Sequence, residues 1–413
     1  MHEDPVVIVG GGAAGIFAAI GAAEKGAPVL LLEKKPRLGM KLRITGKGRC
    51  NLTNIASLEQ FIENIPGNGR FLYGALSNFS NQDLISYLAK LGIQTKVERG
   101  GRVFPVSDQA GEIVRVLEDH LRQLPVTILF RQAVTDLVCS NNQLTGVQVG
   151  EKYFPARGVI LATGGLSYPA TGSTGDGYRL AQKLGHHLTP LRPSLVPLET
   201  AEAWVRNLEG LSLKNVRLTA YAAQKKIGEA FGEMLFTDSG ISGPIVLTLS
   251  RDVTRALEGG LVKLELNLKP ALDRKTLDGR LLRDFKKHSN KHLKNALVEI
   301  LPQALISPVV DLSSLPPDQP VHQISKKERQ GLATILQSLP LTVVGTRPID
   351  EAIITSGGIC VKEVNPKTMG SRLLANLFFA GEILDIDGYT GGFNLQAAFS
   401  TGYLAGKAAA ELF

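Results

Sequence analysis

The sequence predicts an α/β fold in which a domain built on a parallel sheet is interrupted by a β-rich insertion. Three observations predict it: an apolar run ending in glycines opens the chain, short β-rich segments dominate the middle, and glycine-rich strand ends return near the C-terminus. We assign residues 1–190 and 352–413 to the first domain, 191–270 and 339–351 to an inserted barrel-like domain, and 271–338 to a small helical subdomain.

The opening run carries a dinucleotide-binding pattern. Val6–Val9 suit a buried parallel strand, and Gly10, Gly12 and Gly15 follow on the G-x-G-x-x-G spacing. Gly10 permits the tight turn, Gly12 lets the backbone approach a phosphate, and Gly15 lets the next helix pack closely on the strand. The N-terminus of that helix offers unpaired N–H groups to a pyrophosphate.

An acidic residue completes the pattern. A second strand, Pro28–Leu32, ends at Glu33, 18 residues after Gly15. An acid that binds a ribose hydroxyl is expected about there in a dinucleotide fold. The strand, the helix and the acid together predict a Rossmann-like domain that binds a dinucleotide.

The same segment raises a membrane-span or signal-peptide alternative, because Val6–Ala23 has 18 uncharged residues. His2, Glu3 and Asp4 precede it instead of a basic region, and five of its residues are glycine. We therefore predict neither a membrane segment nor export.

Composition narrows the class of protein. A hydrophobic content of 44% and a charged content of 20% are ordinary for a globular protein. Cys50, Cys139 and Cys360 form no metal-binding spacing and no even-numbered disulfide set, so we expect a reducing cytoplasm and no stable metal. The net charge of +8 favours an anionic partner such as nucleic acid, although solubility alone is an alternative explanation.

A basic segment follows Glu33. It contains glycines at 39, 46 and 48, which argue against a plain helix, and we predict a loop that wraps an anion. A solvated basic loop is the alternative. Its cations are Lys34, Lys35, Arg37, Lys41, Arg43, Lys47 and Arg49.

The region up to residue 190 predicts helices and strands of the same domain. Periodicity indicates helices at Asn81–Leu91 and Ala110–Leu124 with a hairpin at Thr95–Val106 between them. Four strands are predicted next, at Val126–Phe130, Ala133–Cys139, Leu144–Val149 and Lys152–Pro155, and the second brings Val134 toward the usual place of an adenine ring. Gly158–Gly165 then repeats a buried strand that ends in glycines.

The middle of the chain changes character. Ser194–Leu198, Leu211–Ala223, Lys226–Phe236 and Leu261–Leu268 predict an inserted sheet or barrel, with a glycine-rich loop and a short helix in Gly232–Arg251.

The helical subdomain contains a strongly basic stretch, Gly279–Lys294, in which Asp284 is the single acid. We predict that its cations contact RNA phosphates, with a solvated surface as the alternative. His288 and His292 have the i, i+4 spacing of metal ligands, but no third ligand is evident. The predicted RNA-binding residues are Arg280, Arg283, Lys286, Lys287, Lys291 and Lys294.

The C-terminal part predicts another strand, turn and helix. Asn376–Ala380 is a buried strand, Gly381 and Glu382 end it, and a helix begins near Asn394 after the turn at Gly388–Gly392. Both ends of the chain therefore build one domain.

Five segments together resemble the BaiN/YhiN-like FAD-dependent oxidoreductases, essentially from end to end. They read GGGAAG, GMKLRITGKGRCNLTN, ATGGLSYPATGSTGDGY, GEMLFTDSGISGP and AGEILDIDGYTGGFNLQAAFSTG. Where the family commonly has SGGGRCN, this chain has TGKGRCN, and Lys47 adds a positive charge.

The resemblance implies a fold of the glutathione-reductase and fumarate-reductase type with extended FAD. The N–H groups after Gly391 would stabilise the anionic reduced flavin at its pyrimidine edge. The implied FAD-binding residues are Gly10, Gly12, Ala13, Ala14, Gly15, Glu33, Lys34, Lys41, Arg49, Cys50, Asn51, Val134, Ala162, Thr163, Gly164, Gly381, Glu382, Asp387, Gly391, Gly392, Asn394, Leu395 and Gln396.

The resemblance also implies an activity, the reduction of a carbon–carbon double bond by hydride transfer from reduced FAD. Family members resemble both steroid-type reductases and a ribosomal RNA dihydrouridine synthase. The basic stretch favours uridine in ribosomal RNA, with a small steroid-like or amine metabolite, or an RNA-binding flavoprotein without turnover, as alternatives. No second G-x-G-x-x-G follows a strand, so NAD(P)H is expected to visit the flavin transiently.

A proton donor is needed as well. Cys50 is the first candidate because the GRCN loop is expected to border the flavin, with a small packing role as the alternative. Tyr168, Tyr389 and Asp387 have weaker claims. A uridine in folded RNA would have to be extruded to reach such a site.

Overall fold

A computed structural model describes residues 4–141 and 143–412. The helices, in chain order, are α1 Ala13–Ala23, α2 Met40–Ile44, α3 Leu58–Glu63, α4 Tyr73–Asn78, α5 Asn81–Lys90, α6 Ala110–Leu121, α7 Asp176–Lys183, α8 Pro244–Leu257, α9 Arg274–Lys287, α10 Leu293–Ala296, α11 Gln303–Ser313, α12 Lys326–Gln337 and α13 Phe393–Ala410.

The strands are β1 Val6–Val9, β2 Val29–Glu33, β3 Thr53–Asn54, β4 Thr95–Glu98, β5 Arg102–Pro105, β6 Val126–Phe130, β7 Asp136–Ser140, β8 Gln143–Val149, β9 Lys152–Pro155, β10 Gly158–Leu161, β11 Arg192–Ser194, β12 Leu198–Thr200, β13 Ser212–Ala222, β14 Lys225–Phe236, β15 Gly240–Ser242, β16 Val262–Asn267, β17 Leu339–Thr346, β18 Ile354–Ser356 and β19 Leu377–Phe379.

The chain forms two compact units, one of residues 1–192 and 349–413 and the other of residues 193–348. These limits lie within three residues of the 190 and 352 boundaries predicted for the first domain. The helical segment 271–338 does not form a third unit, because its apolar residues share one hydrophobic core with the barrel.

The first unit is organised around a five-stranded parallel sheet in the order β19-β10-β1-β2-β6. Val6–Val9 pair with β10 on one side and β2 on the other, and all four of these residues are buried. A continuous apolar run is the pattern expected of a parallel strand covered on both faces. The carboxyl ends of β1, β2, β10 and β19 meet at one sheet edge, where a doubly wound fold binds its ligand.

Two helices pack on each other beside this sheet through glycines. A Cβ on Gly402 of α13 would lie 2.2 Å from the Ala14 carbonyl oxygen, and one on Gly406 would lie 2.1 Å from that of Ala18. These contacts leave no room for a side chain. The matched order, Ala14 with Gly402 and Ala18 with Gly406, shows that α1 and α13 run parallel.

Smaller sheets complete the first unit. β3, β5 and β4 form one antiparallel sheet, which contains the predicted hairpin, and β7, β8 and β9 form another. Val134 precedes β7 instead of lying within it, since that strand begins at Asp136. The basic segment after Glu33 is also not wholly loop, because Met40–Ile44 forms a short helix behind Gly39, whose φ is 61°.

The second unit is a closed antiparallel barrel in the order β12-β15-β14-β13-β16-β17, as the β-rich composition predicted. Buried and exposed residues alternate along β16, so Val262, Leu264 and Leu266 face the interior. The predicted short helix is the 14-residue α8. Leu277 and Leu281 of α9 belong to the same core as the barrel strands.

Within the described ranges, no helix is long and apolar enough to cross a membrane.

The close contact between α1 and α13 gives a test of the first unit. We expect Gly406→Ala to lower the free energy of unfolding by about 1–3 kcal/mol, because the added methyl group meets backbone atoms that cannot yield. Gly111→Ala in α6 is the matched control, since its Cβ would meet only the end of the Arg43 side chain at 3.4 Å. It should be neutral or stabilising by up to about 1 kcal/mol. Urea unfolding followed by circular dichroism measures both, and equal stabilities of the two variants would contradict the packing argument.

Candidate active site

The N-terminus of α1 is open, as a pyrophosphate site requires. Gly12 is its N-cap, no side chain caps the helix, and its first turn contains no acid. A Cβ on Gly12 would meet nothing within 4 Å, whereas one on Gly15 would lie 1.8 Å from the Gly10 carbonyl oxygen. Gly15 therefore serves helix packing, and Gly12 faces free space in which a phosphate can approach the N–H groups of Ala13 and Ala14.

Glu33 lies at the carboxyl end of β2 and is held in place by two backbone N–H groups. Gly11 donates to its Oε2 at 2.6 Å and Lys35 donates to its Oε1 at 2.7 Å. Burial raises the pKa of this carboxyl group, and the two hydrogen bonds oppose that rise. Each oxygen keeps a further lone pair that can accept a ribose hydroxyl.

The strand end after β10 lies against the first glycine turn. A Cβ on Gly10, whose φ is 105°, would lie 2.6 Å from the Ala162 carbonyl oxygen. The buried Oγ1 of Thr163 has no hydrogen-bond partner among the described residues, so a polar ligand group can satisfy it. Gly164 continues this turn with a φ of 73°.

The three predicted cofactor-binding cations are all engaged by acids. Lys41 pairs with Glu382 at 2.7 Å. Lys34 pairs with Asp176 at 2.6 Å, and Arg49 binds both Glu98 and Asp108. The Arg49 guanidinium also lies 4.2 Å from the centre of the Phe104 ring. Their side chains therefore fix the loops around the site and carry less free charge than the sequence indicated.

The GRCN loop packs on the turn that precedes α13. The amide oxygen of Asn51 accepts from the Gly392 N–H at 3.0 Å, and its amide nitrogen donates to the Thr53 carbonyl oxygen at 3.2 Å. Asn54 donates to the Gly391 carbonyl oxygen at 3.0 Å. Two segments about 340 residues apart in sequence thus form one continuous piece of the site.

Cys50 lies inside this loop but does not line the open space. Its exposed fraction is 0%, and burial raises the pKa of its thiol to about 12. The geometry therefore favours the packing role of Cys50 over the role of proton donor.

The N-terminus of α13 is a second open helix end. Gly392 is its N-cap with a φ of 100°, no side chain caps the helix, and its first turn contains no acid. The Asn394 side chain accepts from the Gly388 N–H and donates to the Gly388 carbonyl oxygen, both at 2.8 Å, so it fixes the preceding turn. Leu395 is half-buried in the same helix turn.

Gln396 and Asp387 point away from open space. The Gln396 side chain is fully buried and donates to the Phe79 carbonyl oxygen and to Ser400. Asp387 is also fully buried and accepts from the Ser356 hydroxyl at 3.1 Å. Both hold backbone segments in place and do not present their side chains to a ligand.

The two helix ends are offset along the direction that the helices share. Because α1 and α13 are parallel and Gly402 lies level with Ala14, the nine residues from Phe393 to Gly402 carry the start of α13 about 13 Å beyond the start of α1. One end can bind the pyrophosphate while the other offers N–H groups farther along an extended molecule. Together with Glu33, the open face of Gly12 and the unsatisfied Thr163, this arrangement fits FAD.

Some positioning residues escaped the sequence argument. Gly11 supplies a hydrogen bond to Glu33, Asp176 binds Lys34, and Asn54 holds Gly391. The repeated asparagines of GRCNLTN and the glycine–aspartate–glycine run at the start of α7 were the available signals, since both are short polar motifs beside strand or helix ends.

Removing the Glu33 charge tests the ribose site. We expect Glu33→Gln to weaken FAD binding by about 10- to 100-fold, because one charged hydrogen-bond acceptor is lost. Glu151→Gln at an exposed turn is the control and should leave the affinity unchanged. Titration of the flavin-free protein with FAD, followed by quenching of flavin fluorescence, measures both. Equal affinities in the two variants would show that Glu33 does not contact the cofactor.

Comparison with known proteins agrees with the geometry. Residues 4–408 match the family model of the HI0933-like protein Rossmann domain. The chain is 35% identical over 411 residues to a 3-dehydro-bile acid delta(4,6)-reductase of Clostridium scindens, with 98% of each chain covered. It is 32% identical over 414 residues to a ribosomal RNA dihydrouridine synthase of Escherichia coli, with 98% of this chain and 97% of the relative covered.

The fold also resembles a flavocytochrome c3 fumarate reductase in its open conformation. The TM-score is 0.53 at 17% identity, and the match covers 99% of this chain and 78% of the other. At this identity the likeness concerns the fold alone, which is the flavoprotein type expected from the sequence. The chain belongs to the HI0933-like family and is an FAD-dependent oxidoreductase with a Rossmann-type cofactor domain.

Proposed function

We propose that this protein reduces a carbon–carbon double bond conjugated to a carbonyl group, with uridine in ribosomal RNA as its preferred substrate. The two full-length relatives support the reaction class. One is named for reduction of a delta(4,6)-unsaturated bile acid, and the other for making dihydrouridine, in which the C5–C6 double bond of uridine is reduced.

Bound reduced FAD supplies the hydride in this chemistry. The chain's own residues bind and orient it: Glu33 holds the ribose, the N-terminus of α1 holds the pyrophosphate, and the N-terminus of α13 favours negative charge at the far end. The contacts that Asn51 and Asn54 make with the Gly391–Gly392 turn keep that second helix end in place. Such preorganised N–H groups need no rearrangement when charge develops.

The observation that favours RNA is a group of exposed cations on and after α9. Arg283, Lys286 and Lys291 are exposed, and none of them forms an ion pair within the part of the chain that the structure describes. Arg283 and Lys286 lie one turn apart, opposite the buried Leu281 and Phe285. Unneutralised cations at this spacing suit successive phosphates of a nucleic acid.

The other predicted RNA-binding residues are partly neutralised. Lys287 lies 3.4 Å from Glu299, Lys294 lies 2.6 Å from Asp318, and Arg280 lies 3.6 Å from Asp284. We therefore propose Arg283, Lys286 and Lys291 as the main phosphate contacts.

The two histidines of this segment contact the acids that also pair with Lys287 and Lys294. α9 ends at Lys287, so His288 and His292 do not share a helix. His288 binds Glu299 at 2.7 Å, and His292 lies 3.3 Å from Asp318.

A small steroid-like substrate is the second candidate, and the observation in its favour is the 35% identity to the bile acid reductase over nearly the whole chain. NAD(P)H is the proposed electron donor in both cases. It would reach the flavin transiently, because the sequence contains no second dinucleotide pattern after a strand.

The substrate is tested by mass spectrometry of ribosomal RNA nucleosides from cells with and without this gene. We expect loss of dihydrouridine in the cells that lack it and recovery when the gene is restored. Transfer RNA from the same cells is the internal control, and its dihydrouridine should not change. Unchanged ribosomal dihydrouridine would reject the RNA substrate and favour the steroid-like one.

The cationic surface is tested by neutralising Arg283, Lys286 and Lys291 together, each to Gln. We expect weaker binding to ribosomal RNA fragments and a slope of log affinity against log salt that is smaller by about 2 to 3, because three phosphate contacts are lost. A triple variant of exposed lysines in the first unit, Lys25→Gln, Lys90→Gln and Lys152→Gln, is the charge-matched control. An equal loss in the control, or no RNA affinity of the native protein at low salt, would contradict the proposed contacts.

A further inference from the structure

Tyr168 has an unusual backbone conformation at the edge of the cofactor domain. Its φ is 54°, in the left-handed region, although it is not glycine. Holding a bulky residue there costs about 1–3 kcal/mol and persists only where the surroundings fix it. Strain of this kind concentrates at functional sites, so the groups that hold Tyr168 are informative.

The backbone before Tyr168 is fixed by Thr355. The Thr355 hydroxyl oxygen accepts from the Leu166 N–H at 2.8 Å and from the Ser167 N–H at 3.2 Å. Ser167 is fully buried, and its hydroxyl lies 3.0 Å from that of Thr355. On the other side, the Tyr168 N–H donates to the Asp350 carbonyl oxygen at 3.2 Å.

The same threonine connects Tyr168 to an ion pair. The Thr355 N–H donates to Glu382 Oε1 at 2.8 Å, and Glu382 Oε2 accepts from Lys41 Nζ at 2.7 Å. Lys41 Nζ in turn lies 5.9 Å from the centre of the Tyr168 ring. Three other segments of the first unit, those of Lys41, of residues 350–355 and of Glu382, are therefore linked to the segment that carries Tyr168.

This cluster lies beside the cofactor residues. Gly381, next to Glu382, packs on the first turn of α1, because a Cβ on it would lie 2.7 Å from the Ala14 Cβ. The segment that carries Tyr168 continues directly from Ala162–Gly164, which contacts the glycine turn after β1. Tyr168 thus belongs to a segment that borders the predicted FAD site.

The Tyr168 hydroxyl is free to act. Its residue is partly exposed, and the hydroxyl has no hydrogen-bond partner among the residues described here. Partial burial raises the pKa of this phenol, so it keeps its proton at neutral pH. Cys50, by contrast, is fully buried.

We propose that Tyr168 is the proton donor of the reaction, an assignment that rests on the proposed function. The β-carbon of the substrate accepts a hydride from bound reduced FAD, the π electrons of the double bond move to the α-carbon, and the Tyr168 proton adds there. The tyrosinate then takes a proton from water, and NAD(P)H restores the reduced cofactor. Lys41, which Glu382 holds in place, acts as a positioning residue against the face of the Tyr168 ring.

Tyr168→Phe tests this assignment, with Tyr73→Phe at an exposed site on α4 as the matched control. The probes are a ribosomal RNA fragment that contains the uridine and a 3-keto-4-ene steroid. We expect reoxidation of the flavin by substrate to slow by about 10²- to 10⁴-fold in Tyr168→Phe, because a positioned acid contributes that much. Flavin reduction by NAD(P)H and FAD affinity of the flavin-free protein should match those of the control.

The origin of the added proton separates catalysis from a structural role. In D₂O the native protein should place one deuteron on a single face of the α-carbon, which is C5 in uridine. The residual product of Tyr168→Phe should carry deuterium on both faces, since water then supplies it. Unchanged rate and stereochemistry in Tyr168→Phe, or weakened FAD binding that accounts for the slower rate, would overturn the assignment alone. A native protein that reduces neither probe would overturn the proposed function and this inference with it.

Discussion

The structure of the cofactor domain depends on the direct backbone contact between α1 and α13. Small residues make it possible, since Gly402 and Gly406 bring α13 against the carbonyl oxygens of Ala14 and Ala18. The contact joins the two ends of the chain across the long insertion. It also sets how far the start of α13 lies beyond the start of α1 along their shared direction. Glycine at these positions therefore determines the spacing of the two helix ends as well as the packing of the core.

The loops around those helix ends are held by polar contacts rather than by apolar packing. Asn51 and Asn54 fix the turn before α13, and Arg49 fixes the GRCN loop to the Glu98 and Asp108 side of the small β3-β5-β4 sheet. Many of these groups are only partly exposed, so leaving one of their hydrogen bonds unmade would cost stability. A site built in this way keeps its N–H groups aimed before the ligand arrives.

Much of this arrangement could be predicted from the sequence, because it follows from local patterns. The apolar runs gave the parallel strands, the spacing of Gly10, Gly12 and Gly15 gave the first turn, and the alternating middle segments gave the barrel. What could not be predicted depends on long-range packing. The neighbouring sequence does not indicate that acids bind Lys34 and Arg49, or that Cys50 is buried. Motif membership placed these residues near FAD, whereas only the three-dimensional contacts show which atoms are available for chemistry.

The residues that bind the cofactor do not identify the substrate. Two relatives of nearly equal identity, 35% and 32%, cover the whole chain and have different substrates in their names. Under the proposed function both substrates are reduced by the same hydride and proton transfer, so the residues proposed to hold FAD and donate the proton do not discriminate between them. Discrimination must come from residues outside that machinery, which the shared chemistry does not constrain. Cations that no acid neutralises in the described part of the chain, such as Arg283, Lys286 and Lys291, are proposed to be of this kind, because a neutral steroid gains nothing from them whereas a polyanion does. Under the proposed function, free charge on the second unit is therefore the feature that would distinguish the two substrates.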